Sequence, residues 1–129
     1  MIRPTQPWKL LLVDDEETIL FALGDYLQRL GFAVDLASER EEAEALLANL
    51  SYAAVVADLR LFGSDSRDGL FVIAAARERS LKTRIVLLSA FADPEVEIEA
   101  VRHGADLVLR KPRPLPQIAE CLIGLLEPA

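Results

Sequence analysis

The run over residues 9–17, KLLLVDDEE, constrains the fold more than any other stretch, because an apolar segment of strand length ends abruptly at four acidic residues. Periodicity alone does not separate so short a run from a buried helix. In parallel α/β sheets, ligands bind beyond the carboxyl ends of the strands, where a carboxylate pair suits a hard cation. Alternatively, Asp15 caps the next helix, and Glu16 and Glu17 offset its dipole. The residues that follow the other predicted strands distinguish a cation site from a helix cap.

Composition favours one domain built around a sheet that is covered on both faces. The chain has 129 residues, 52% of them hydrophobic, and a mean hydropathy of +0.24. No apolar run reaches the length of a membrane span and no signal peptide is visible, so we predict a cytoplasmic protein with no membrane association. Residues 1–7 carry two prolines and no periodic pattern. They predict a flexible lead-in before a single domain over residues 8–127.

Charge and cysteine content exclude several classes of function. Cys121 is the only cysteine and His103 the only histidine, which rules out an internal disulfide and argues against a His or Cys metal site. Fourteen basic residues against 21 acidic ones give a net charge of -7. This balance disfavours contact with a phosphate backbone, so we predict no direct nucleic acid binding by this segment.

Apolar runs of strand length alternate with amphipathic segments along the whole chain. Ser38 and Glu41 have the spacing of a capping box at the start of the second helix. The alternation predicts a parallel sheet with helices on both faces and right-handed crossovers. The predicted strands are 9–13, 32–37, 53–57, 84–88 and 105–109, and the predicted helices are 16–30, 38–50, 69–79, 94–103 and 115–126.

Polar residues follow four of the five predicted strands. These residues are Asp14 and Asp15 after the first strand, Asp58 after the third, Ser89 after the fourth and Lys111 after the fifth. They converge if those strands are neighbours, because the carboxyl ends of parallel strands share one edge of the sheet. The structural alternative treats Asp58 and Lys111 as an ordinary ion pair and Ser89 as a turn residue.

Such a set supports a definite chemistry. Three crowded carboxylates repel one another unless a divalent cation neutralises them, and oxygen ligands point to Mg²⁺. With the charge neutralised, Asp58 can act as a nucleophile toward a phosphoryl group. Lys111 can pair with the transferred phosphoryl oxygens, and the Ser89 hydroxyl can donate to another. The product is an aspartyl phosphate.

With these residues in place, the chain resembles the receiver domains of response regulators in two-component signalling, of the chemotaxis-regulator type. The resemblance extends over residues 9–126. It implies a flavodoxin-like α/β fold, a three-layer sandwich with a five-stranded parallel sheet in the order 2-1-3-4-5 and five helices. The motifs that carry it are Asp14-Asp15, Asp58, Ser89-Ala90, Gly104-Ala105-Asp106 and Lys111-Pro112.

The resemblance also implies roles for individual residues. Asp58 is the expected phosphoacceptor, Ser89 the switch hydroxyl and Lys111 the partner of the phosphoryl group. The expected donor is a histidine kinase or a phosphotransfer protein, and the output partner or effector domain is unknown. In similar domains the Lys111-Pro112 bond is often cis. The expected Mg²⁺ site consists of Asp14, which acts close by or through water, Asp15, Asp58 and the Arg60 main-chain carbonyl.

Three features depart from the usual pattern of similar domains: Val108, a polar loop over residues 60–68 that is longer than usual, and Arg113, which stands where an aromatic residue often follows Lys111-Pro112. Val108 stands where many of them have an aromatic residue, so an aromatic rotamer switch is not available there. Phe91 is the nearest aromatic residue that could sense movement of Ser89, which is a hypothesis. The resemblance implies that Arg60 and Phe91 occupy positions that in similar domains modulate attack of water on the acyl phosphate. A long cation and an apolar ring there predict slow autodephosphorylation.

The preferred interpretation is a phosphorylation-controlled signalling switch whose phosphotransfer is self-directed, so that the chain is not a turnover enzyme. A second interpretation is a receiver-like interaction module that signals without phosphorylation. A third is an aspartyl-phosphate hydrolase of the haloacid-dehalogenase type. That chemistry needs Asp-x-Asp after the first strand, whereas this chain has the adjacent pair Asp14-Asp15.

Overall fold

Five strands and five helices alternate in the computed structural model, which describes residues 2–59, 68–90 and 94–128. The strands are β1 (Lys9–Val13), β2 (Ala33–Ala37), β3 (Ala54–Asp58), β4 (Arg84–Ser89) and β5 (Leu107–Arg110). The helices are α1 (Glu17–Leu30), α2 (Arg40–Asn49), α3 (Asp68–Arg79), α4 (Pro94–His103) and α5 (Leu115–Leu126). The predicted number and sequence of elements is confirmed within these residues.

All strands of the sheet are parallel, and their order is β2-β1-β3-β4-β5. The flavodoxin-like α/β fold implied by the sequence is therefore confirmed. Val13 at the end of β1 pairs with Ala57 of β3, and Asp58 pairs with Leu88 of β4. Because the strands end in step, the residues that follow β1, β3, β4 and β5 lie along one edge of the sheet.

The sheet separates two apolar cores. Leu10 and Leu12 pack in the core beneath α1 and α5, whereas Leu11 and Val13 pack in the core beneath α2, α3 and α4. Successive side chains of a strand point to opposite faces, so a strand that is covered on both faces must be apolar throughout. This explains why β1 and β3 read as unbroken apolar runs instead of alternating ones.

Two local predictions are wrong. Glu39, not Ser38, is the N-cap of α2, and Glu42 accepts the Ser38 N–H at 2.7 Å. The extended backbone at Glu39 delays the helix by one residue, so Glu42 rather than Glu41 reaches back. The fifth strand begins at Leu107 rather than at residue 105, because the Ala105 N–H bonds to the Ala100 carbonyl and holds Ala105 in the turn that follows α4.

Residues 2–8 form no helix or strand and cross the ends of α1 and α5. The Thr5 N–H, the Thr5 hydroxyl and the Trp8 Nε1–H all donate to Glu127 Oε2, at 2.8, 2.8 and 2.7 Å. Arg3 Nη1 donates to the Arg29 carbonyl in the last turn of α1, at 3.1 Å. The division into a flexible lead-in over 1–7 and a domain over 8–127 stays a prediction. Among the described residues, no helix has both the length and the apolar character needed to span a bilayer.

Candidate functional site

The carboxyl edge of the sheet holds three of the four buried polar residues in the described part of the chain. Asp14 follows β1 directly, Asp58 ends β3 and Ser89 ends β4, and they are 5%, 8% and 2% exposed. Thr83 is the one other buried polar residue in the described part of the chain. Buried polar groups are costly unless they have partners, so a concentration of them at one strand edge indicates a site.

Three carboxylates converge at this edge. Asp14, Asp15 and Asp58 each offer an oxygen, and these oxygens all lie within 4.8 Å of one another. Mg²⁺ binds oxygen at about 2.1 Å, so two ligands on opposite sides of the ion are about 4.2 Å apart. The observed limit of 4.8 Å is close to that spacing. The donor set therefore fits a hard divalent cation.

Lys111 connects two of these carboxylates. Its Nζ lies 3.0 Å from Asp14 Oδ2 and 3.4 Å from Asp58 Oδ2. Burial alone would lower the pKa of the ammonium, but the hydrogen bond to Asp14 and the attraction of Asp58 outweigh it and raise the pKa above its ordinary value. Lys111 therefore keeps its positive charge inside the cluster. The Lys111-Pro112 peptide bond is cis, as expected, and the Lys111 N–H donates to the Ser89 carbonyl at 2.7 Å.

The start of α1 distinguishes the roles of the two adjacent aspartates. Asp14 Oδ1 accepts the Glu16 N–H at 3.0 Å, while Asp14 Oδ2 accepts from Lys111. Glu16 occupies the N-cap position without a side-chain capping bond. Asp15 is thus not the cap of α1, and that structural alternative is wrong. Both oxygens of Asp14 are held by the chain, so its carboxylate is oriented before any ligand arrives.

Gly69 was not singled out from the sequence, yet it sets the position of Asp58. A Cβ at Gly69 would lie 2.3 Å from the Asp58 carbonyl oxygen and 2.7 Å from Leu59 Cα. The Gly69 N–H donates to the Leu59 carbonyl at 3.1 Å. The first turn of α3 therefore rests directly on the main chain of Asp58. The available signal was a glycine at the start of a helix, where glycine is unfavourable unless backbone must approach closely.

The structure describes one of the two predicted switch positions, Val108, but not the other, Phe91. Val108 is half-buried in β5 and packs against the core beneath α2, α3 and α4, with no aromatic ring at its position. Arg60 and Phe91 lie outside the described residues. The Arg60 carbonyl as a metal ligand, Phe91 as a sensor of Ser89, and slow autodephosphorylation stay predictions.

A parallel sheet in this order, with three converging carboxylates beside its central strands, is typical of flavodoxin-like domains, whose ligands bind at the carboxyl edge of the sheet. Comparison with known proteins identifies the family within that class. Residues 10–122 match the sequence model of the response regulator receiver domain, and the chain belongs to this family. It is thus a receiver domain of two-component signalling, and the general function of such domains is that of a phosphorylation-controlled switch.

Individual relatives agree with this assignment. The chain is 34% identical over 115 residues to the photosynthetic apparatus regulatory protein RegA of Rhodobacter capsulatus, covering 89% of this chain and 61% of that protein. It is 31% identical over 119 residues to the transcriptional regulatory protein QseB of Escherichia coli O157:H7, covering 92% and 53%. The chain therefore spans a little over half the length of these curated relatives.

One solved structure combines sequence similarity with fold similarity. It is a response regulator from Burkholderia pseudomallei with a phosphorylated aspartic acid, a calcium ion and citrate. The identity is 31% and the TM-score 0.81, over 94% of this chain and 67% of that one. That protein thus carries both a phosphoaspartate and a divalent cation on the same fold.

Proposed function

We propose that this chain accepts a phosphoryl group on Asp58, with Mg²⁺, and that the modification switches its binding surface between two states. The observation that carries the proposal is the contact of the Lys111 ammonium with both Asp14 and Asp58 inside a cluster of three carboxylates. A cation that is already held between these oxygens is placed to pair with a phosphoryl group on either of them.

The proposed step is an in-line displacement at phosphorus. A carboxylate oxygen of Asp58 attacks, the new O–P bond forms, and the bond to the donor's nitrogen or oxygen breaks, so the electron pair leaves with the donor. Asp14 and Asp15, with Asp58 and the Arg60 carbonyl, are the proposed Mg²⁺ ligands, and the bound ion supplies charge neutralisation. Lys111 exchanges its contact with Asp58 for one with the phosphoryl oxygens, and the Ser89 hydroxyl donates to another of them.

The proposed donor is a histidine kinase or a phosphotransfer protein, and the proposed setting is the cytoplasm. A cavity of about 480 Å³ opens beside Lys111 between α1 and α5. Ile19 lines this cavity and is 38% exposed. An exposed apolar side chain in a cavity that Lys111 also lines suits a donor protein that must bring its phosphoryl group to this edge. Proteins such as RegA and QseB, which are longer, suggest an output domain as the second partner.

Radiolabelled acetyl phosphate tests the proposal without a kinase. Wild-type protein with Mg²⁺ is expected to take up label that is lost in alkali, as an acyl phosphate is. Asp58→Asn is expected to take up none, whereas Asp25→Asn, which changes an exposed acid on α1, is expected to label normally. Equal labelling of wild type and Asp58→Asn would contradict the proposal. No labelling at all would favour an interaction module, and sustained hydrolysis of a small phosphoester would favour a hydrolase.

A further inference from the structure

Arg40, the first residue of α2, reaches across to the first turn of α3. Its Nη1 lies 3.6 Å from Asp68 Oδ1, and its guanidinium carbon lies 4.1 Å from the centroid of the Phe71 ring. Asp68 and Phe71 are three residues apart on α3, so they lie on the same side of that helix. One guanidinium thus contacts both ends of the first turn of α3, by an ion pair and by stacking.

The guanidinium is itself held in place. Arg40 Nε donates to Glu44 Oε1 at 2.6 Å, one turn further along α2. Phe71 is 50% exposed, and its ring lies against the Arg40 guanidinium. Glu44, Arg40, Asp68 and Phe71 therefore form a connected bridge between two helices at the end of the domain that carries the acidic cluster.

The first turn of α3 is in close contact with the main chain of the proposed phosphoacceptor, Asp58. Gly69, which lies between Asp68 and Phe71, touches the main chain of Asp58 so closely that not even a methyl group fits between them. A hydrogen bond from Gly69 to Leu59 closes the same contact. Displacement of this turn is therefore passed on to the Asp58 backbone. Reactions of this kind are sensitive to shifts of about 1 Å in the attacking group.

We propose that Arg40 is a positioning residue for phosphoryl transfer to Asp58: it holds the first turn of α3, and through Gly69 it fixes the attack position of the Asp58 carboxylate. Within the described residues, the side chains that contact the Arg40 guanidinium are Glu44, Asp68 and Phe71, and none of them belongs to the carboxylate cluster. The inference rests on the proposed function, because a position for attack matters only if Asp58 is the nucleophile.

The test compares Arg40→Met with Arg29→Met. Arg29 also makes an i,i+4 ion pair, with its Nε 2.9 Å from Asp25 Oδ2 on α1, and among the described residues its side chain shows no ion pair or hydrogen bond to a second helix. The rate of phosphorylation by acetyl phosphate is measured as a function of Mg²⁺ concentration. Arg40→Met is expected to lower the maximal rate by about three- to tenfold. The Mg²⁺ concentration at half-saturation is expected to change less than the maximal rate, because Asp58 is in contact with α3 whereas the proposed ligands Asp14 and Asp15 follow β1.

Two further variants separate positioning from a general loss of stability. Arg40→Lys keeps the charge without the planar stack and is expected to recover part of the rate. Combining Arg40→Met with Asp68→Asn is expected to cost little more than Arg40→Met alone, because both changes break the same bridge.

Each outcome bears on a separate claim. A maximal rate for Arg40→Met equal to that of Arg29→Met would overturn the inference, while leaving phosphorylation of Asp58 in place. The inference would also be overturned if the rate of Arg40→Met fell only in proportion to the fraction of that variant that is unfolded in the assay, as calculated from urea denaturation. If the wild-type protein takes up no phosphoryl group on Asp58, the proposed function fails, and the inference falls with it.

Discussion

Replacing Gly69 with alanine perturbs the proposed nucleophile without touching any ionisable group. The new methyl group would lie 2.3 Å from the Asp58 carbonyl oxygen, 2.7 Å from Leu59 Cα and 2.9 Å from the Leu59 carbonyl oxygen. All three neighbours are main-chain atoms, so no side-chain rotation relieves the contact. Ordinary van der Waals separation begins near 3.4 Å, and α3 and the end of β3 must therefore move apart by about 1 Å.

The size of the effect follows from this displacement. Overpacking of a buried contact costs about 1–3 kcal/mol, and only part of that is offset by the better helix propensity of alanine. A shift of about 1 Å in a reacting group lowers rates by up to about 100-fold. We expect Gly69→Ala to lose about 1–3 kcal/mol of unfolding free energy and to be phosphorylated about 10- to 100-fold more slowly.

Gly124 provides a matched control within the same chain. It lies inside α5, and a Cβ built there meets nothing within 4 Å. Gly124→Ala is expected to gain about 0.5–1 kcal/mol from helix propensity and to react at the wild-type rate. Urea denaturation measures the free energies, and acetyl phosphate labelling measures the rates. If Gly69→Ala matches wild type in both, the contact between α3 and Asp58 does not position the nucleophile.

Three further predictions test other parts of the structure. Glu127 accepts hydrogen bonds from Trp8 and Thr5, and these bonds lower the pKa of its carboxyl below the usual 4.5. The bond between Trp8 and Glu127 is therefore present above pH 4.5 and is lost as the pH falls through the lowered pKa. Fluorescence emission of the single tryptophan should change at a midpoint below pH 4.5, with no such step in Glu127→Gln. Mg²⁺ at about 100 times its dissociation constant should add about 2.7 kcal/mol to the unfolding free energy, and Asp15→Asn should blunt this gain in thermal melts; an identical gain in that variant would remove Asp15 from the proposed ligands. Arg77 donates to the Gly104 and Leu81 carbonyls and to the Asp106 carboxylate. Arg77→Met should therefore lower the unfolding free energy measured in urea by about 2–3 kcal/mol. An unfolding free energy equal to that of the wild type would show that these bonds do not stabilise the end of α4.

The sequence predicts the fold where burial alone decides the residues. The unbroken apolar runs of β1 and β3 arise because both faces of these strands are covered, so their character and their acidic ends are visible without coordinates. The convergence of Asp14, Asp58 and Lys111 followed from the rule that parallel strands share an edge. The strand order did not follow from the pattern, because five alternating units are compatible with several orders. It came from the resemblance to a known family.

The features that the sequence did not reveal depend on contacts between elements. The close contact between Gly69 and the Asp58 main chain forms only when α3 packs against β3. The contact between Arg40 and Phe71 joins two helices, and no local sequence pattern predicts it. The shift of the α2 cap from Ser38 to Glu39 depends on the backbone angles of a single residue. Short-range signals of this kind are settled by tertiary packing rather than by spacing.

Chemical identification of the phosphorylated residue tests the central claim most directly. Borohydride reduces an aspartyl phosphate to homoserine, and mass spectrometry of the digested protein then locates the modified position. After reaction with acetyl phosphate and Mg²⁺, we predict homoserine at position 58 and at neither of the two neighbouring carboxylates, Asp14 and Asp15. Reduction at either of those positions, or unchanged Asp58 in protein that has taken up phosphoryl label, would contradict the assignment of Asp58 as the nucleophile.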